Sequence, residues 1–151
     1  MMADIYVLSD RQLSSIEEWQ RAIAAESFPL QLKARHSLAE LRGLLPAAFE
    51  RKASGFTCDH CNAGDLIEAM ADVDFGRSWQ YALAFGFSGD FRDGVSAFAA
   101  AAAYAKATDG VLFDGESGEV MPPQQALREA RTMARDLPAN EAWLHGLAAS
   151  A

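Results

Sequence analysis

The chain has 151 residues, of which 50% are apolar and 23% are charged. This size and balance predict one globular domain over residues 1–151 with its own hydrophobic core, and they exclude a disordered chain. No apolar run approaches the roughly 18 to 20 residues of a membrane helix, so no membrane contact is expected. The formal net charge of -8 at pH 7 disfavours binding to nucleic acid, because acidic groups repel phosphate backbones.

The first third of the chain predicts two strands and one helix. Residues 4–8 (DIYVL) form a short apolar run that is typical of a strand, and no basic segment precedes it as in a secretory signal. Ser15 and Glu18 have the spacing of a capping box, which predicts the start of a helix. Residues 28–32 (FPLQL) predict an edge strand, because Pro29 has no N–H to donate to a neighbouring strand.

The next segment is less regular. Residues 36–49 predict a short helix followed by an irregular passage, since a glycine and Pro46 interrupt the helical spacing. Residues 55–58 (GFTC) predict a short strand that ends in a polar turn at Asp59. Asn62 then offers a cap for a short amphipathic helix.

The stretch from residue 79 to residue 121 predicts the centre of the fold. Residues 79–88 alternate large and small side chains, which is the period of a strand. We expect helices to pack on both faces; the alternative is that the small face forms the floor of a groove. The large face comprises Trp79, Tyr81, Leu83, Phe85 and Phe87, and the small face comprises Gln80, Ala82, Ala84, Gly86 and Ser88.

A long helix is predicted over residues 91–107, with Gly110 as its left-handed C-terminal cap. Residues 111–113 and 119–121 predict the two arms of a hairpin around a DGESG turn. A last long helix should begin at the paired prolines 122 and 123 and end at Pro138, after which Asn140 caps a short final helix. The order of elements and the absence of Val- and Ile-rich runs favour an α+β fold, with a mixed or mostly antiparallel sheet covered by helices.

The acidic excess is confined to the middle of the chain. Residues 1–52 carry seven acids and seven bases, residues 120–151 carry three of each, and residues 53–119 carry eleven acids and three bases. Such a segment attracts and steers a basic protein partner, although acids also serve simply to solvate loops and begin helices. The candidate partner-binding residues are Asp72, Asp74, Asp90, Asp93, Asp109, Asp114, Glu116 and Glu119.

The sequence CDHC provides the only compact group of potential metal or redox residues, Cys58, His60 and Cys61. Two thiolates at this spacing can bind a metal such as zinc or exchange a disulfide. A structural zinc site needs four ligands, however, and no second CxxC follows. The alternative is a strand-end turn with incidental cysteines. No HExxH, P-loop, GxGxxG or GxSxG motif occurs, so no catalytic residue is assigned and no cofactor is expected.

The segment YAKATDGVLFDGESGEVMPPQQAL resembles small bacterial proteins that confer immunity to polymorphic toxins, together with neighbouring uncharacterised families. In those proteins an Ala-rich helix leads into a Gly-capped short strand, an Asp, a Gly-containing turn and a last helix. The resemblance implies a cytoplasmic protein that binds and neutralises a cognate toxin, and it implies no catalytic residue. With the localised charge, it predicts a non-enzymatic binding protein; the alternative is a small metal- or thiol-dependent enzyme centred on CDHC. The matching residues are Ala105, Gly110, Val111, Phe113, Asp114 and Gly118.

Overall fold

The computed structural model of the protein describes residues 4–34 and 36–150, the last eight of them by their backbone alone. The strands are β1 (Ile5–Ser9), β2 (Leu30–Leu32), β3 (Leu44–Phe49), β4 (Lys52–Asn62), β5 (Tyr81–Gly86), β6 (Val111–Asp114) and β7 (Val120–Met121). The helices are α1 (Ile16–Ala25), α2 (Ala63–Ala69), α3 (Phe91–Thr108) and α4 (Pro123–Ser150), and a short 3-10 turn covers Leu38–Glu40.

The seven strands form one sheet in the order β2-β3-β4-β5-β1-β6-β7, and every neighbouring pair is antiparallel. The predicted α+β class with an antiparallel sheet is therefore confirmed. Both β5 and β6 run antiparallel to β1, which lies between them, so they run parallel to each other. Helix α3 is the crossover that joins these two strands.

One face of the sheet, here called the inner face, carries the main core and is covered by α1, α3 and α4. Trp19 of α1 and Tyr104 of α3 meet edge to face on this side, and the indole N–H of Trp19 donates to the carbonyl oxygen of Ala100 over 2.9 Å. Helix α3 is buried nearly all round, and not only along the stripe that its spacing predicts. Its run of alanines lets the other helices and the sheet approach from several sides.

The other face, here called the outer face, is only partly covered. Helix α2 and the segment after it pack on alternate residues of three strands, including Tyr6, Ala82 and Phe113. Trp79 belongs to this outer cluster, where its indole N–H donates to the carbonyl oxygen of Phe75 over 2.9 Å. The expectation that Trp79 shares the large face of β5 is wrong, because the strand begins two residues later, at Tyr81.

The local signals in the first third of the chain are confirmed. The Ser15 hydroxyl accepts a hydrogen bond from the N–H of Glu18, and β2 is an edge strand as expected. The Glu18 carboxylate does not close a reciprocal box on Ser15, however, but accepts from the backbone N–H and hydroxyl of Ser14. These bonds, the backbone one first, hold the pKa of Glu18 below its ordinary value.

Two strands differ from their predictions. The irregular passage before Phe49 is strand β3, which contains Pro46. The carbonyl oxygen of Pro46 accepts a hydrogen bond from the N–H of Lys33, which lies one residue beyond the end of β2. Because Pro46 is opposite Lys33, its missing N–H removes no hydrogen bond between the paired residues of β2 and β3. The turn expected at Asp59 is also wrong, since β4 continues to Asn62 in register with β5.

The ends of α3 and α4 differ as well. The left-handed residue after α3 is Asp109, at φ 56° and ψ 41°, and not Gly110. Gly110 is required because a Cβ there would collide with the carbonyl oxygen of Leu8. Helix α4 does not end at Pro138 but continues to Ser150, so the cap expected at Asn140 is wrong. Leu137 is fully buried and holds this part of α4 against the fold.

Candidate binding groove

The part of the outer face that α2 leaves uncovered forms a groove of about 820 Å³. Its floor is built from alternate residues of β4, β5 and β1, which the antiparallel register places side by side. One row across the sheet holds Asp59, Ala84 and Tyr6, and the next row holds Thr57 and Gly86, with Asp4 beside them.

The floor is low because its central side chains are small. A Cβ added at Gly86 would lie 2.6 Å from the hydroxyl oxygen of Thr57, so position 86 has no room for a side chain while Thr57 keeps its place. Leu44 of β3 lies at the wall of the groove and is 69% exposed, an unusual position for a large aliphatic side chain. Both expectations for the small face are met in part: Ala82 packs under α2, whereas Ala84 and Gly86 line the groove.

Three carboxylates surround this floor, and each is held by a backbone N–H. Asp4 accepts from the N–H of Phe87 over 2.8 Å, and Asp59 accepts from that of Gly43 over 2.9 Å. Asp93 accepts from the N–H of Gly55 over 3.1 Å and from a serine hydroxyl on the same strand. Among the described residues, no Lys, Arg or His lines the groove. The groove is thus an apolar floor with a fixed negative rim.

In each of the three carboxylates only one of the two oxygens accepts the bonds just given, and the described part of the chain provides no hydrogen bond to the other. Asp59 and Asp4 are two strands and two residues apart, which places their Cα atoms about 12 Å from each other. Carboxylates at this distance can each contact a separate cationic group, but they are too far apart to share one.

The predicted acidic residues do not form one surface. Asp90 and Asp109 lie at opposite ends of α3, whose 18 residues rise about 27 Å. Asp90 caps that helix, and Asp114 accepts backbone N–H bonds in the turn after β6. Asp72 is exposed in the segment that follows α2. Of the eight predicted acids, only Asp93 lines the groove.

The remaining predicted acids lie in turns or near chain reversals. Asp74 accepts a hydrogen bond from the N–H of Gly76, and Glu119 accepts one from the side chain of Gln125. Glu116 is exposed in the turn between β6 and β7.

Sequence reasoning missed Asp4 and Asp59 as members of the groove. The sequence predicts Asp4 as the first residue of an opening strand and Asp59 as the start of a turn. The available signal for Asp59 is the alternation of Thr57 and Asp59 with the buried residues Phe56 and Cys58 along β4, and the period of two places Cys61 on the same face as Thr57 and Asp59.

The three residues of the CDHC proposal are not brought together. Strand alternation buries Cys58 in the inner core, whereas Cys61 is exposed and lines the groove on the outer face. The His60 ring is within 2.9 Å of the carbonyl oxygen of Leu38. Burial, and then the charge of Asp59, raise the pKa of both thiols. Within the described residues, no three His, Cys, Asp or Glu side chains lie close enough to hold a metal ion.

Comparison with protein-family models, with curated proteins and with solved structures finds no match to this chain. None of the described helices combines the length and the apolar character needed to cross a membrane.

Proposed function

We propose that this chain is a non-enzymatic binding protein that engages a basic protein partner in the cytoplasm. The observation that carries the proposal is the groove on the outer face, where Asp4, Asp59 and Asp93 surround an apolar floor and no basic residue is present among the described lining. An unbalanced negative rim attracts cationic side chains and repels phosphate groups.

The apolar part of the groove favours a protein over a small cation. The floor at Ala84 and Gly86 and the exposed side chain of Leu44 provide apolar contact area. A partner that carries both basic and apolar side chains would bury this area and pair with the carboxylates in the same step. Fixed carboxylates also need no reorganisation on binding, because their backbone hydrogen bonds already orient them.

The kind of partner follows from the resemblance of residues 104–127 to immunity proteins. That resemblance supports an inhibitor that occupies a basic surface of a toxin. Such a partner would be steered to the acidic protein at long range, and its association rate would fall as salt is added.

The test compares two variants of equal charge. The groove variant combines Asp4→Asn, Asp59→Asn and Asp93→Asn, and each asparagine keeps an oxygen that can accept the backbone N–H. The control variant combines Asp72→Asn, Asp109→Asn and Glu116→Gln, which lie outside the groove. Each protein is co-expressed with the products of the neighbouring genes, and complexes are quantified by calorimetry at low and moderate salt.

We expect the groove variant to lose about a hundredfold in affinity for its partner, which corresponds to about 1 kcal/mol for each carboxylate. The control variant should lose less than about fivefold, since it changes only the long-range field. Equal effects of the two variants, or a larger effect of the control, would place the contact elsewhere on the protein. Failure of every neighbouring product to bind would also count against the proposal.

A further inference from the structure

We infer that the groove receives an extended segment of its partner that carries two Lys or Arg residues at positions i and i+4 and an apolar residue at i+2. The inference rests on the proposed function and specifies which part of a partner enters the site. It follows from the positions of Asp59 and Asp4 relative to the floor between them.

The separation of the two aspartates along the sheet selects the conformation of the segment. The Cα atoms of Asp59 and Asp4 are about 12 Å apart, as the strand spacing and rise require. An extended chain advances about 13 Å in four residues, and its residues i, i+2 and i+4 point to the same side. In a helix the same four residues advance only about 6 Å, which is half the required distance.

The strand between the two carboxylates determines the middle residue. Because β5 lies between β4 and β1, a straight line from Asp59 to Asp4 crosses the floor at Ala84 and Gly86. The middle side chain of the segment would therefore lie over the smallest residues in the groove. An aliphatic side chain fits there, because Ala84 and Gly86 provide apolar contact at the floor and Leu44 provides an apolar wall.

Recognition in this groove depends on side chains of the protein. Strands β4, β5 and β1 are central in the sheet, and each pairs with a neighbour on both sides. Along β1, β5 and the part of β4 up to Thr57, the ladder groups are therefore occupied, so the partner cannot pair there as another strand. Specificity then rests on the spacing of the charges and the apolar residue, and not on main-chain pairing.

Synthetic peptides test the spacing. The matched peptide has lysines at its second and sixth positions, leucine at its fourth, and Gly or Thr elsewhere; the scrambled peptide has the same composition with adjacent lysines. Binding is measured by fluorescence anisotropy at low salt. We expect the matched peptide to bind about fivefold more tightly than the scrambled one, because only it pairs with both carboxylates.

Single variants locate the contacts. Asp4→Asn and Asp59→Asn should each remove the preference for the matched peptide, whereas Asp93→Asn should weaken both peptides alike. Thr57→Lys places an ammonium group inside the groove and should prevent binding, and Thr57→Gln is its uncharged control. Cys61 is a further probe, since it lines the groove and Cys58 is fully buried: the matched peptide should slow alkylation of Cys61.

Equal affinity for the two peptides would overturn the inference, even if a folded basic partner still requires the groove carboxylates. Competition by spermine at the same concentration as the matched peptide would also overturn it, because charge alone would then explain binding. The proposed function is tested separately, by the loss of partner binding in the groove variant. A partner that binds equally well after the groove carboxylates are replaced would overturn both the inference and the proposed function.

Discussion

Glu141 of α4 accepts two hydrogen bonds from the guanidinium group of Arg92, over 3.1 Å from Nε and 2.6 Å from Nη2. The remaining Nη1 donates to the carbonyl oxygen of Phe49 over 2.7 Å. Arg92 lies in the first turn of α3, so one cation joins α3, α4 and the end of β3. The pair fixes the part of α4 that follows Pro138, where the sequence predicts the helix to end.

Replacing Glu141 by glutamine should destabilise the fold. The side chain of Arg92 is 9% exposed and that of Glu141 is 30% exposed, so the variant leaves a nearly buried guanidinium without its counter-charge. A fully buried pair would cost 3 to 5 kcal/mol, and with partial exposure we expect a loss of about 2 kcal/mol in the free energy of unfolding. Urea denaturation measures this value.

The control for this pair is Asp136→Asn. Asp136 pairs with its neighbour Arg135, and the two side chains are 53% and 74% exposed. Its loss should change the free energy of unfolding by less than about 0.5 kcal/mol. Equal losses in the two variants would show that the Arg92 pair does not hold α4 in place.

The end of α3 provides a pair of adjacent substitutions with different expected effects. Gly110→Ala should lower the free energy of unfolding by about 3 kcal/mol, because the new Cβ collides with the carbonyl oxygen of Leu8. Asp109→Gly should change it by less than about 1 kcal/mol, since glycine tolerates the left-handed conformation at that position. Thermal denaturation compares them, and a mild Gly110→Ala variant would contradict the close approach to β1.

The buried thiol of Cys58 should lower the free energy of unfolding at alkaline pH. Burial raises the pKa of its thiol in the folded state, so the neutral form persists there while an unfolded thiol ionises near pH 8.5. The neutral Cys58 thiol therefore makes its full contribution to the free energy of unfolding below that pH. Above it, the free energy of unfolding falls by about 1.4 kcal/mol for each further pH unit, or about 2 kcal/mol by pH 10.

The measurement is the free energy of unfolding from pH 7 to pH 10 in the wild type and in Cys58→Ala. Cys61 and Tyr104 also have raised pKa values, but both proteins retain these groups. The difference between the two pH profiles therefore reports the Cys58 thiol together with its charge interactions with Cys61 and Tyr104. Parallel profiles would mean that the thiol ionises equally in both states.

Local signals in the sequence predicted most of the elements, whereas long-range pairing determined the site. The cap at Ser15 and the edge strand at Pro29 follow from the preferences of single residues, and both are confirmed. The prediction of an irregular passage at β3 is wrong, because the effect of Pro46 on strand pairing depends on where β2 ends. Asp4 and Asp59 are 55 positions apart in the sequence. Only the register of β4, β5 and β1 places them around one floor, and no local pattern encodes that register.

The open edge of β2 is covered by a side chain of α1. The Gln20 amide nitrogen donates to the carbonyl oxygen of Leu30 over 2.8 Å, and its oxygen accepts from the N–H of Leu32 over 2.8 Å. Gln20→Ala should therefore cost about 1 to 2 kcal/mol of stability and expose a pairing edge, which increases self-association with concentration. Analytical ultracentrifugation measures the association, with the exposed Gln124→Ala as control. If Gln20→Ala sediments like the wild type at every concentration, the amide does not protect the edge.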